Sequence, residues 1–198
     1  NDIFPKQIAF NVIPQIDSFE DNGYTREEMK MVNETHKILG DTSIAVNPTC
    51  VRVPVFFGHS ESINIETRMP YDFEHVKQLL NDAPGVELID DAGDYPTAVS
   101  DASGNDTVYI GRLRADISHP HGLNMWVVSD NTRKGAATNS VQIAEELIAN
   151  DGGVTSVQFE FTEWSHVIRE LQDDAKVKER LFLNNSTHVV DLVFHMAG

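Results

Sequence analysis

The chain has 198 residues, of which 40% are hydrophobic and 23% charged, the composition of an ordinary globular domain. Its net charge of −16 excludes broad nucleic-acid binding and argues against binding to anionic membranes, because both need a basic surface. No apolar run approaches the roughly 20 residues that span a bilayer. Cys50 is the single cysteine, so a disulfide within the chain is excluded and a cytoplasmic location is expected.

The first part of the chain predicts an extended segment followed by a helix. Residues 6–16 are rich in apolar side chains, which indicates a buried strand or extended segment. Thr25 followed by Glu28 fits a capping box, so a helix is expected over Arg26–Leu39. Gly40 is the expected end of this helix.

The rest of the chain predicts strands interleaved with helices. Strands are expected at residues 49–57, 61–67, 86–89, 107–113 and 124–129, and helices at 72–81 and 134–149. Several connections are too short for parallel crossovers, so we predict an α+β domain with a mixed, largely antiparallel sheet covered by helices. A turn at residues 151–153 predicts a boundary between a domain at 1–150 and a strand–helix–strand tail at 151–198.

The segment TCVRVPVFFGHSES at residues 49–62 carries the most informative side chains. Arg52 lies inside an otherwise apolar predicted strand, where its guanidinium needs a protein carboxylate, a ligand carboxylate or an exit to solvent. His59 follows Gly58 at the end of that strand, where a turn can aim an imidazole into a cleft for acid–base chemistry. Local physics alone favours the alternative of a structural Arg–Glu pair and an ordinary loop histidine.

Three further groups of side chains have a functional and a simpler interpretation. Glu27 and Lys30 share a face of the first helix, either as a surface ion pair or as partners of a ligand with an ammonium and an anionic group. Residues 131–139 (NTRKGAATN) begin the last predicted helix, where small residues permit close packing or the approach of an anion. His119 and His121 indicate a solvated loop, and no metal site is expected.

Five motifs resemble the aspartate-semialdehyde dehydrogenase family and occur in that family's order. They are FPKQIAFNVIPQID, YTREEMKMVNETHKIL, CVRVPVFFGHSES, VYIGRLRADI and WVVSDNTRKGAATNSVQIAE, which lie within residues 4–149. The resemblance implies a fold like the C-terminal domain of glyceraldehyde-3-phosphate dehydrogenase and association as a homodimer. It also implies reduction of aspartyl phosphate to aspartate semialdehyde and phosphate with NADPH, toward lysine, threonine, methionine and isoleucine.

The resemblance assigns a role to each candidate residue. Arg52 would bind the α-carboxylate of the substrate, Glu27 its ammonium and Lys30 its phosphate. His59 would be the acid–base catalyst, and Asn139 would lie near the nicotinamide end of NADP. In the implied reaction a thiolate displaces phosphate from the acyl phosphate, and hydride reduces the resulting thioester to a hemithioacetal, which collapses to the aldehyde.

The chain also departs from the family pattern. The family's catalytic cysteine, a nearby glutamine and the main NADP-binding domain precede the segment matched by Phe4, and Cys50 aligns with a non-catalytic position. We therefore expect the chain alone to be inactive, with Arg52 and His59 meeting Glu27 and Lys30 in one cleft of a larger enzyme. The rival hypotheses are a non-catalytic interaction module derived from this domain and a truncated domain with no independent role.

Overall fold

The computed structural model describes residues 4–151, with side chains up to residue 146. The chain divides into two compact units, Asn1–Gly58 and His59–Gly198. The strand–helix–strand prediction for the tail lies outside the described residues. None of the helices in the described range has the length and apolar character needed to cross a membrane.

The first unit contains the predicted helix α1, Arg26–Leu39, with the predicted caps at both ends. The Thr25 hydroxyl accepts from the Glu28 N–H at 3.3 Å, and the Glu28 carboxylate accepts from the Thr25 N–H at 2.7 Å. Gly40 ends the helix in the left-handed conformation with a φ of 65°. The prediction of α1 is therefore confirmed. The helix could be predicted because both caps depend only on residues close in sequence.

The strand predicted at 49–57 is wrong, and residues 6–16, predicted as a buried strand or extended segment, form no regular strand and are mostly exposed. The segments share one isolated bridge, in which the Ile13 N–H donates to the Arg52 carbonyl at 3.0 Å and the Arg52 N–H donates to the Ile13 carbonyl at 2.8 Å. Pro14 follows the bridge directly and has no N–H to extend the pairing. Most apolar side chains of both segments are exposed, so their apolar character does not reflect burial in this unit.

The second unit is built on a mixed four-stranded sheet with the order β1-β4-β3-β2. Its strands are β1 (His59–Glu66), β2 (Val86–Ile89), β3 (Val108–Ala115) and β4 (Gly122–Ser129). β4 pairs antiparallel with both β1 and β3, whereas β2 pairs parallel with β3. The predicted mixed, largely antiparallel sheet is confirmed.

Helix α2, Phe73–Asp82, contributes side chains that pack against the core of the sheet. The buried members of this core are Ile110, Leu113, Leu123 and Met125. Ile110 and Leu113 are an odd number of positions apart, and both are buried because β3 has a register shift next to Arg112, whose φ is 52°. The sequence pattern did not predict this bulge.

The last predicted helix divides into two parts. A π-helical turn spans Arg133–Ala137, and helix α3 spans Thr138–Asp151. A second π-helical turn, Ala98–Ala102, lies in the connection between β2 and β3 and was not predicted. The indole N–H of Trp126 in β4 donates to the Pro96 carbonyl at 3.1 Å, which ties this connection to the sheet.

Candidate active site

Glu27 and Lys30 lie on one face of α1, as predicted. The Lys30 ammonium is 3.9 Å from a Glu27 carboxylate oxygen, and about two fifths of each side chain is exposed (42% and 36%). An exposed pair at this distance contributes little to stability. Both charged groups are therefore accessible to a ligand, and the pair matches both the surface-pair and the ligand-binding interpretations.

Arg52 lies in an irregular segment with its side chain exposed, not within an apolar strand. Its guanidinium carbon is 5.7 Å from the centre of the Phe4 ring, within cation–π range. No carboxylate forms an ion pair with Arg52 in the part of the chain that the structure describes. The predicted structural Arg–Glu pair is therefore wrong for the described residues. The N–H groups along the edge of the guanidinium remain available for a ligand carboxylate.

Glu28 connects helix α1 to the segment that carries Arg52. One carboxylate oxygen accepts from the Thr25 N–H, and the other accepts from the Cys50 N–H at 2.8 Å. These backbone hydrogen bonds, from Thr25 first and Cys50 second, lower the pKa of Glu28. Sequence reasoning assigned Glu28 only to the capping box, although a capping glutamate has a second oxygen free to hold another segment.

His59 is the first residue of β1, so it begins the strand predicted at 61–67 and does not end a strand at 49–57. Gly58 before it has a φ of 80°, which supports the predicted turn. His59 is the register partner of Ser129, the last residue of β4. A Cβ placed on Gly135 would lie 3.8 Å from Cδ2 of the imidazole. The structure thus brings His59 beside the π-helical turn within the 131–139 segment.

Asp130 holds the beginning of that segment and was missed by the sequence reasoning. Its side chain is buried and accepts from the Gly104 N–H at 2.8 Å, the Thr132 hydroxyl at 2.7 Å, and the N–H groups of Thr132 and Arg133 at 2.8 and 3.0 Å. These hydrogen bonds, led by that from Gly104, hold the pKa of Asp130 well below its usual range. The partner Gly104 is distant in sequence, so local patterns carry no signal for it.

Asp106 holds the other end of the segment. Its carboxylate receives two parallel hydrogen bonds from Arg133, at 2.6 and 2.8 Å, and one from the Thr138 hydroxyl at 2.9 Å. These contacts lower the pKa of Asp106. Asn139, next along the chain, is half-buried, and its side-chain amide has no hydrogen bond to the described residues. That amide is available to hydrogen-bond a polar ligand.

The remaining candidates do not form a site in the described residues. The rings of His119 and His121 are 6.0 Å apart and edge-on, as in an ordinary hairpin turn. Over the described part of the chain, no cluster of three His, Cys, Asp or Glu side chains could hold a metal ion. Arg52, Glu27 and Lys30 belong to the first unit, and His59 to the second, so their meeting in one cleft stays a prediction.

The fold is that of the C-terminal domains resembling glyceraldehyde-3-phosphate dehydrogenase, in which helices cover a mixed sheet. The family described as semialdehyde dehydrogenase, dimerisation domain, matches residues 1–134, and the chain belongs to that family. Proteins named aspartate-semialdehyde dehydrogenase are similar to this chain in sequence. The one from Shewanella violacea is 66% identical over 146 residues, covering 74% of this chain and 43% of the relative. That from Bacillus subtilis is 56% identical, covering 71% and 41%.

Solved structures agree with the sequence relatives. Aspartate semialdehyde dehydrogenase II from Vibrio cholerae, complexed with ASA, has a TM-score of 0.71 and 62% identity, covering 74% of this chain and 44% of that one. The Candida albicans enzyme with NADP has a TM-score of 0.56 and 29% identity, covering 73% and 46%. The chain therefore spans about two fifths of the length of the curated relatives it matches.

Proposed function

We propose that this chain provides the substrate-binding and acid–base residues of an NADP-dependent aspartate-semialdehyde dehydrogenase, which converts aspartyl phosphate to aspartate semialdehyde and phosphate. The observation that carries the proposal is Arg52, an exposed arginine without a carboxylate partner among the described residues, in a chain of the semialdehyde dehydrogenase family. A guanidinium whose N–H groups have no carboxylate partner can bind the α-carboxylate of an amino-acid substrate through two parallel hydrogen bonds.

The pair on α1 complements this arginine. Glu27 offers a carboxylate to the substrate ammonium, and Lys30 offers an ammonium to the transferred phosphate. The contact between Glu27 and Lys30 is long at 3.9 Å and partly exposed. Breaking it to bind a ligand that carries both charges therefore costs little free energy. Glu28 supports this set because it hydrogen-bonds to Cys50, two residues before Arg52.

His59 is proposed to move the proton at the reacting centre. A ring nitrogen would protonate the carbonyl oxygen of the substrate during reduction and remove that proton in the reverse direction. Asn139 would contact the nicotinamide end of NADP through its open amide. When bound, the cofactor supplies the hydride. The nucleophilic thiolate would come from a cysteine outside these 198 residues, so we propose that the chain alone is inactive.

The organisation of the larger protein follows from the same family membership. Residues 1–150 are proposed to act as one substrate-binding and dimer-forming domain, and residues 151–198 as an additional segment. The first unit exposes apolar side chains, among them Phe10 at 101% and Phe56 at 94%. Such side chains favour association, so we infer a homodimer in a cytoplasmic enzyme. Sedimentation of the purified chain at twice its monomer mass supports the dimer, and a monomer at micromolar concentration contradicts it.

A chimera tests the catalytic proposal. The 146 matched residues of this chain replace their counterparts in the Shewanella violacea relative, which is 66% identical to them. Reduction of NADP is followed at 340 nm with aspartate semialdehyde and phosphate as substrates. His59→Gln should lower kcat by about 100-fold or more, the contribution expected of a general acid–base residue.

His75→Gln is the matched control, because His75 is an exposed histidine on α2 of the same unit. It should leave kcat unchanged. A chimera that folds and is active but tolerates His59→Gln within about threefold would contradict the catalytic role. A folded chimera that reduces no NADP with these substrates would contradict the proposed reaction itself.

A further inference from the structure

His59 has no hydrogen bond that orients its ring within the described residues. It is exposed, and no group in the described range bonds to the imidazole. Gly135 of the π-helical turn lies beside the ring, since a Cβ added there would be 3.8 Å from Cδ2 of His59. An acid–base catalyst needs a defined ring position, and the turn at Gly135 is the feature of the described residues that lies beside this ring.

The turn is held from Asp130 on two sides. The carboxylate accepts from the N–H groups of Thr132 and Arg133, while the Asp130 carbonyl accepts from the Gly135 N–H at 3.1 Å. The strand pairing places Ser129, the residue before Asp130, directly across from His59. Asp130 therefore fixes the backbone between Ser129, which pairs with His59, and Gly135, which lies beside the imidazole.

Asp130 also fixes this turn to a remote loop. Its second carboxylate oxygen accepts from the Gly104 N–H at 2.8 Å, and Asp130 is 5% exposed. An asparagine has nearly the same shape, but its amide nitrogen is a donor and cannot accept from a second N–H. Asparagine can therefore accept either from Gly104 or from the N–H groups of Thr132 and Arg133, so the turn loses either its bond to the remote loop or its own hydrogen bonds.

We propose that Asp130 is a positioning residue for His59, acting through the turn that ends at Gly135. It does not touch the substrate. Its effect is to hold the turn beside the imidazole in place, so that the ring nitrogen keeps its position at the reacting centre. The catalytic consequence rests on the proposed function, whereas the effect on the ring position does not.

The first test uses the full chain and needs no activity. In NMR spectra, the nuclear Overhauser effect between Hδ2 of His59 and the Hα protons of Gly135 should be present in the wild type and lost in Asp130→Asn. Asp101→Asn is the matched control, because Asp101 holds the other π-helical turn by accepting from the Thr97 N–H at 2.6 Å. That variant should retain the effect at His59.

The second test measures kcat and KM of the Asp130→Asn and Asp130→Glu variants of the chimera. Asp130→Asn should lower kcat by about 10- to 100-fold, in line with the cost of displacing a catalytic group by about 1 Å. The KM for aspartate semialdehyde should change by less than about threefold, because the carboxylate-binding residues are not touched. Asp130→Glu keeps two acceptor oxygens and should recover part of the loss.

The two tests separate the two claims. Retention of the His59–Gly135 contact in a folded Asp130→Asn chain overturns the positioning role. Loss of that contact in both the Asp130 and Asp101 variants also overturns it, because the effect is then general loosening. Loss confined to Asp130→Asn, in a chimera that tolerates His59→Gln, supports the positioning role and overturns the catalytic function of His59.

Discussion

Replacing Glu28 with glutamine is the sharpest perturbation of the first unit. Glu28 is 7% exposed, and its carboxylate accepts from two backbone N–H groups, those of Thr25 at 2.7 Å and Cys50 at 2.8 Å. Glutamine keeps the shape but has one acceptor oxygen, so one of these N–H groups must face an NH2 group. The variant should lose about 1–3 kcal/mol of stability, the cost of one unsatisfied buried donor.

Amide hydrogen exchange measures this loss at the atoms concerned. A loss of about 1–3 kcal/mol corresponds to exchange that is roughly 5- to 150-fold faster at the Thr25 or Cys50 amide, if opening remains local. Glu27→Gln is the matched control, because it removes only a surface ion pair worth less than about 1 kcal/mol. Unchanged exchange at both amides in Glu28→Gln would refute the reasoning that this carboxylate holds the two segments together.

Three further predictions concern the stability of the described units. Hydrogen bonds from Ser118 lower the pKa of Asp116 to about 2, so its stabilisation is complete above the unfolded-state pKa of about 4 and is lost as the pH falls toward 2. The difference in unfolding free energy between wild type and Asp116→Asn, from urea titrations, should shrink as the pH falls from about 4 through 2, and a difference independent of pH would contradict the assignment. Gly111→Ala places a Cβ against Cδ of Pro96, well inside van der Waals contact, and should cost about 1–3 kcal/mol in the same titration, whereas an unchanged unfolding free energy would contradict this steric argument. Gly40→Ala should lower stability by about 1 kcal/mol because its φ is 65°, whereas Gly40→Asn should cost less, and equal losses would argue against a conformational cause.

The sequence predicted those parts of the fold that depend on neighbours in the chain. The Thr25 capping box and the end of the helix at Gly40 were predicted correctly because both are local. The strand predicted at 49–57 was wrong because apolar, β-branched residues were assumed to be buried, whereas Val55 is 50% exposed and Phe56 94% exposed. In this chain, apolar segments are therefore found on the exposed surface of the first unit as well as in the buried core of the second.

The candidate site residues were selected from motifs rather than from local physics, and their roles stay predictions. The strand predicted around Arg52 was wrong, whereas its exit to solvent, one of the three alternatives considered, is what the structure shows: the side chain is exposed and lies over Phe4. Its selection rests on the ordered family motifs, which the comparisons confirmed as family membership. Asp130 was not predictable in the same way, because its burial and its bond to Gly104 depend on chain segments far apart in sequence.

The most direct measurement of the central claim is the effect of Arg52→Ala on turnover of aspartate semialdehyde by the chimera. The substitution removes the proposed carboxylate partner without disturbing the backbone bridge to Ile13. We predict that kcat/KM falls by about 100-fold or more, as expected when a charged ligand group loses a bidentate partner. A folded Arg52→Ala chimera whose kcat/KM stays within about threefold of the parent value would contradict the account.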